Sequence, residues 1–356
     1  MSEPALAQAT LSPSDAAVLY GAAFLIPLAV TLVLTPAAAG LALHLGVMDR
    51  PGEHKAHVEA TPYLGGLALA LGLVVAGLVV GSTAQQAAVI AGCAVVVFGL
   101  GLLDDLRGLG PGVKVGVEAA LAVVLWFAEV RAGFFGIRAL DLVLTVVWVV
   151  GITNAVNLSD NMDGLASGIA AIAAVAYFAI AAPQGDFLVA AFAIALAGAS
   201  LGFLRHNFPP ARIFLGDAGS LLLGFLLATL GLLLDLDVSN DALRIGVQML
   251  ILGVPVFDTV LVVVMRRRAG RPVTQGGRDH ASHRLAALGL SGRQVALVVY
   301  AAQVACSSIA VVAVNAPGSA IAVALAWVAL GIVVGVTVVL LGRREGGAGG
   351  RSAKTR

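Results

Sequence analysis

Charge is what this sequence has least of. Only 12% of its 356 residues are Asp, Glu, Lys or Arg, against 60% hydrophobic, and the mean hydropathy is +1.00. A soluble domain needs about twice that charged share. Cysteine is scarce too. Cys93 and Cys306 both lie in apolar runs, so they read as small buried hydrophobes and imply no disulfide framework. Aromatics make up 6%, too few for a base-stacking surface, and a net charge of +1 gives no global field for nucleic acid. The first 18 residues contain no Lys or Arg, so the first apolar run reads as a retained span and not a cleaved signal. A phosphate loop of the GxxxxGK type is absent.

What the sequence has in abundance is apolar runs of roughly 20 residues, the length a membrane helix needs. They predict an all-α, polytopic membrane protein of about eleven helices, over 20–43, 63–81, 86–103, 113–130, 138–153, 164–182, 187–204, 218–235, 243–265, 294–314 and 319–341. The fifth run is short, and ten spans result if it is re-entrant. Many of the 43 glycines lie inside these runs, where small residues let helices approach closely. One membrane domain, 1–342, is expected, followed by a Gly-rich, basic, disordered tail, 343–356. Of the 21 Lys and Arg residues, 18 fall in one set of connections and three (Arg131, Arg138 and Arg244) in the other. The positive-inside rule then puts the N-terminus outside and the C-terminus in the cytoplasm.

Five polar clusters interrupt the apolar pattern: "DRPGEHKAHVEATPYLGG" (49–66), "LLDDLRGLGPGVK" (102–114), "NAVNLSDNMDGLA" (154–166), "HNFPPARIFLGDAGS" (206–220) and "GRDHASHRLAALGLS" (277–291). In that orientation all five face the cytoplasm, where loops of one bundle can converge on a single site.

Asp104 and Asp105 are adjacent, so on a helix they point about 100° apart and cannot make identical contacts. They are either solvated charges at a helix end or two groups with different roles. An Asp in hydrocarbon costs several kcal/mol unless it meets a cation or donor. Asn154, Asn157, Asp160 and Asp163 recur every three residues, a spacing that a 3₁₀ turn or irregular loop aligns better than an α-helix. Their oxygens suit a hard cation such as magnesium, although Asp163 is also a fair N-cap for the next run. Asp217, in "FLGDAGS", precedes an apolar helix whose N-terminus favours phosphate, and it too could simply cap that helix. In "RDHASHRL", His280 is three residues from His283 and four from Arg284, so all three can share a helical face suited to phosphate. Zinc is the rival reading, but no cysteine is nearby. Acidic oxygens for a divalent metal beside cationic donors point to phosphoryl transfer.

In this order, the clusters resemble those of the polyprenyl-phosphate N-acetylhexosamine-1-phosphate transferases, of the glycosyltransferase family 4 type, across about 49–291. "DDLRGLGPGVK", "DNMDGLA", "IFLGDAGSLLLG" and "DHASHRLAALGLS" look most like the GlcNAc-1-phosphate branch. The resemblance implies magnesium-dependent (or manganese-dependent) transfer of a sugar-1-phosphate from a UDP-sugar to a polyprenyl phosphate such as undecaprenyl phosphate, with release of UMP. That step would begin a lipid-linked cell-envelope polysaccharide at the cytoplasmic face of a bacterial-type plasma membrane. It implies Asp104, Asp105 and Asp217 as catalytic acids, with Asp217 the metal ligand and Asn157 its partner. Lys114 would lie near the pyrophosphate, and Asp163 would contact the nucleoside base. Asn154 and Asp160 belong to the same substrate-binding wall, and His280, His283 and Arg284 to the basic loop. A homodimer is compatible with all of this. One position departs from the family's usual His-x-His-His: the middle histidine is Ser282 here, which bears on the sugar more than on the reaction. Asp258, in "PVFDT", also recurs in relatives, and a structural role and a functional one both stay open.

A transporter is the competing class, since it too combines many helices with intramembrane acids. It would place polar groups near the bilayer midplane, whereas here they gather at one face, and no clear inverted repeat is visible. A scaffold would leave the acids unexplained.

Overall fold

A computed structural model describes residues 12–49, 60–80, 85–236, 241–274 and 277–315, with 323, 326, 327 and 329. The protein is almost entirely helical. The helices are α1 (Pro13–Leu45), α2 (Gly65–Val80), α3 (Gln85–Arg107), α4 (Pro111–Phe127), α5 (Arg138–Ser159), α6 (Leu165–Ala181), α7 (Phe187–Asn207), α8 (Gly216–Leu233), α9 (Asp241–Ile251), α10 (Gly253–Arg268), α11 (Ala281–Ala287) and α12 (Gly292–Asn315). Between α1 and α2 a two-residue antiparallel ladder pairs β1 (Met48–Asp49) with β2 (Thr61–Pro62).

Local chemistry sets several boundaries. The hydroxyl of Ser12 accepts the Asp15 amide at the start of α1, where Pro13 follows, and Gly46 ends that helix with φ 69°. Pro111 opens α4, where its missing N–H costs nothing.

Helices α6, α7 and α8 are mostly buried and rich in Ala and Leu, while outer helices such as α1 and α2 expose apolar side chains, with Val33 70% and Leu78 78% exposed. In a soluble protein such surfaces would aggregate. Against lipid they are the expected exterior. Among the described residues, six helices are long and apolar enough to cross a membrane, and α9 with α10 makes a seventh if the pair counts as one span. The first ten expected runs are all helical, but α2 and α6 are short and apolar, so length and composition alone do not make every run a span. The expected span 319–341 lies outside the described residues apart from four of them.

The ninth run is not one helix as expected. It bends by 88° between α9 and α10. Pro255 has no N–H, and its ring excludes the carbonyl four residues back, that of Ile251. Gln303 of α12 takes up the backbone groups at the break. Its amide nitrogen donates to the Ile251 carbonyl at 2.6 Å, and its amide oxygen accepts the Val254 N–H at 3.2 Å.

Two close approaches fix α8 against its neighbours. A Cβ on Gly224 would lie 2.7 Å from the Thr153 carbonyl oxygen, and one on Gly101 would lie 2.5 Å from the Ala218 Cα. Glycine at both positions brings α5 and α3 against α8. One turn from each contact stand Asn157 with Ser220, and Asp105 with the first turn of α8.

Candidate active site

The N-terminus of α8 is the centre of the polar region. The Asp105 carboxylate accepts the backbone N–H groups of Asp217 at 2.8 Å and Ala218 at 3.0 Å. It thus caps α8 from a neighbouring helix, satisfying N–H groups that have no partner in their own helix. Asp104, next in the chain, turns elsewhere: one oxygen accepts the Leu109 amide and the other the Lys114 ammonium at 2.6 Å. The same ammonium donates to Asp217 at 2.7 Å. A lysine of α4 therefore bridges carboxylates of α3 and α8. The second Asp217 oxygen accepts the Asn157 amide at 2.9 Å, and that amide also donates to the Ser220 hydroxyl at 2.9 Å.

The four residues spaced by three are not aligned. Asn154 and Asn157 belong to α5, Asp160 caps its C-terminus, and Asp163 lies in the turn beyond. Asn154 is held one turn deeper than Asn157, by the buried Glu118 and the Val150 carbonyl. Asp163 does not cap α6: Gly164 is the N-cap, and the Asp163 carboxylate instead accepts the Ala211 amide at 2.9 Å. Burial, then the carboxylates of Asp217, Asp105 and Asp163, push the Asp160 carboxyl up to about 8.

A cleft of about 450 Å³ opens over this cluster, lined by Asp104, Asp105, Asp217, Asp49 and Tyr63 among others. Asp49 and Tyr63 were not anticipated as site residues. The β1–β2 ladder brings them in, and Tyr63 packs edge-on against Phe214. Burial, then the charge of Asp105, raises the Tyr63 phenol, which stays protonated. The one sequence signal was an aromatic inside a polar cluster.

The basic segment also differs from expectation. His280 precedes α11 as its N-cap and is not part of the helix, yet its ring stands edge-on to that of His283, with centroids 6.1 Å apart. Its Nδ1 lies 2.7 Å from the Asp258 carboxylate, whose other oxygen accepts the Ala281 amide at 2.7 Å. Asp258 thus anchors His280. Asp279 accepts Arg266 at 3.1 Å and Arg271 at 2.6 Å. Burial alone would raise its carboxyl, but these two arginines outweigh burial and hold it below the usual carboxylate range. Arg284 donates to the Asp279 carbonyl at 2.9 Å. Burial, then the charges of His280 and Arg278, lower the His283 imidazole. The Ser282 hydroxyl donates to the side-chain oxygen of Asn161 at 2.5 Å, which joins this segment to the acidic loop.

Among the described residues, no group of three or more His, Cys, Asp and Glu side chains is arranged to hold a metal. Magnesium needs no such group, because it keeps several waters and takes only one or two carboxylates. The carboxylates of Asp104 and Asp217 are hard oxygen donors, and the Lys114 ammonium already stands as a cation between them. These carboxylates fit a divalent cation at Asp217, while Asn157 turns its amide nitrogen to that carboxylate and steadies it.

Comparison with known proteins adds an independent line. Residues 87–235 match the profile described as Glycosyl transferase family 4. A Bacillus subtilis protein named probable undecaprenyl-phosphate N-acetylglucosaminyl 1-phosphate transferase is 35% identical over 289 residues, covering 78% of this chain and 80% of that one. The decaprenyl-phosphate N-acetylglucosaminephosphotransferase of Mycobacterium tuberculosis is 35% identical over 300 residues, covering 73% of this chain and 74% of its own. A phospho-N-acetylmuramoyl-pentapeptide-transferase of a Geobacillus species is 32% identical over 270 residues, covering 68% and 81%.

Proposed function

Because the chain belongs to glycosyl transferase family 4 and is a sugar-phosphate transferase, we propose that it transfers N-acetylhexosamine-1-phosphate, with GlcNAc the leading sugar, from a UDP-sugar to a polyprenyl phosphate and releases UMP. The observation that carries this reading is the ammonium of Lys114 set between Asp104 and Asp217 at the helix N-terminus that Asp105 caps. That corner offers a cation, a positive helix end and carboxylates in one place, the mix that phosphoryl transfer needs.

Each residue then has a task. Asp105 holds the first turn of α8, and so places Asp217. Asp217, with Asn157 beside it, would hold Mg2+ or Mn2+, which supplies charge neutralisation on the pyrophosphate when bound. Lys114 moves from its carboxylates towards the phosphates as they arrive. Asp104, released by Lys114, is the group nearest to orient or deprotonate the acceptor phosphate. His280, His283 and Arg284 bind phosphate oxygens of the soluble substrate, and Asp163 its base.

The site faces the cytoplasm of a bacterial-type plasma membrane, with the N-terminus outside, the C-terminus inside, and eleven spans: ten among the described residues, with α9 and α10 counted as one, and the expected span 319–341. The distribution of 18 of the 21 basic residues supports that orientation. Purified protein in nanodiscs, given UDP-GlcNAc, undecaprenyl phosphate and Mg2+, is expected to release UMP, and to stop when any one is omitted. UMP release without the lipid would contradict the reading. A panel of UDP-sugars in the same assay identifies the donor.

A further inference from the structure

The acidic loop between α5 and α6 and the basic segment before α12 meet in a hydrogen bond between side chains. Ser282 donates to Asn161 at 2.5 Å across 121 positions of sequence. Ser282 is 4% exposed, and its hydroxyl points at the acidic loop. The other end of the Asn161 side chain is committed inward, donating to the Leu158 carbonyl at 2.7 Å. Beneath the bond, Met162 from the loop and Leu285 and Ala286 from α11 pack against one apolar cluster with Leu165 and Val295.

We infer that the Ser282–Asn161 hydrogen bond is a latch that fixes the separation between the two walls and so sets how tightly the enzyme holds its sugar nucleotide. The inference rests on the function proposed above. Asn161 stands two residues from Asp163, and Ser282 stands next to His283. The bond therefore ties the base-reading wall to the phosphate-binding wall at a set distance. Ser282 and Asn161 are positioning residues, since both side chains are spent on each other and on the backbone. The family's usual histidine at 282 could not replace the serine here without pushing Asn161 away, because a hydroxyl 2.5 Å from its acceptor leaves no room for an imidazole. In this chain the position of the motif's middle histidine has become a connection between loops.

The test compares Ser282→Ala, Asn161→Ala, the double variant and Ser282→Thr. Each alanine variant is expected to raise KM for the UDP-sugar roughly tenfold, the effect of losing one hydrogen bond. Turnover and the KM for the lipid should stay within about twofold, because the latch touches neither. The double variant should match Asn161→Ala, since Ser282→Ala removes nothing that Asn161→Ala leaves in place. Ser282→Thr keeps the hydroxyl and should restore the parent KM. A merely structural bond would instead lower the thermal midpoint and move both KM values together. Calorimetric binding of UDP reads the latch without turnover. If UDP binds the parent and weakens in both alanine variants while no UMP is ever released, the latch stands and the transferase reading falls. Additive losses, equal effects on both substrates, or unchanged UDP affinity would overturn the latch, as would a parent that binds no UDP.

Discussion

At the scale of the residue, the two adjacent aspartates separate into different tasks. Asp105 caps α8, and removing such a cap costs about 0.5–2 kcal/mol. Asp104 pairs with Lys114 and supports no helix end but its own turn to Leu109. Asp105→Asn is therefore expected to lower the thermal unfolding midpoint in detergent as well as activity. Asp104→Asn should keep the parent midpoint and lose turnover by about 100-fold, the scale of one preorganised electrostatic contact. Equal midpoints for both variants would contradict this division. The division itself was legible in the sequence, because neighbouring residues on a helix diverge. The identity of their partners was not, because Lys114 and the α8 N-terminus reach them only through tertiary packing.

His283 carries the pH dependence of the basic segment. Its folded pKa lies below the unfolded value of about 6.5, so the unfolded chain binds the proton more readily. The stability it contributes is full above about pH 6.5 and is lost as pH falls through the lower folded value. Amide protection in 281–287 should therefore fall as pH drops below about 6.5 in the parent, and less so in His283→Gln. An identical fall in both would assign the effect to another group.

At the scale of the element, the runs of apolar residues located ten helical segments, because 20 apolar residues in a row leave few alternatives. They could not locate the break at Leu252, because apolarity is uniform on both sides of it. The signal was there in Pro255, and what makes the break tolerable is a glutamine from another helix. Gln303→Leu would leave the Val254 N–H and the Ile251 carbonyl without that partner, and is expected to cost about 1–3 kcal/mol for each group left buried and unsatisfied. Thermal unfolding in nanodiscs measures it, and an unchanged midpoint would mean that the bend does not depend on Gln303. The spacing argument failed differently in two places. The repeat of Asn154, Asn157, Asp160 and Asp163 runs out of one helix into a turn, so its members face Glu118, Asp217 and Ala211 instead of a common point. His280 caps α11 instead of joining it. Periodicity assumes one continuous element, and both motifs straddle an end. Asp49 and Tyr63 escaped notice because a two-residue ladder, too short to leave a pattern, carries them to the cleft.

At the scale of the whole molecule, the competing classes differ in what they do with a phosphate. A transporter moves its substrate intact. A sugar transferase that breaks the bond between sugar and phosphate releases UDP. The proposed reaction breaks the pyrophosphate instead, leaving UMP and carrying the sugar and its phosphate together to the lipid. The cationic and helix-end groups around Asp217 fit a charge that grows on phosphate oxygens, and offer nothing specific to a sugar carbon. The most direct measurement uses UDP-GlcNAc carrying phosphorus-32 only in its β-phosphate, incubated with the parent and with Asp217→Asn in nanodiscs containing undecaprenyl phosphate and Mg2+. The account expects label to move into the lipid fraction in step with UMP release by the parent, with near-complete loss in the variant. Label that stays in the aqueous nucleotide fraction while unlabelled sugar enters the lipid, or transfer that survives in Asp217→Asn, would contradict it.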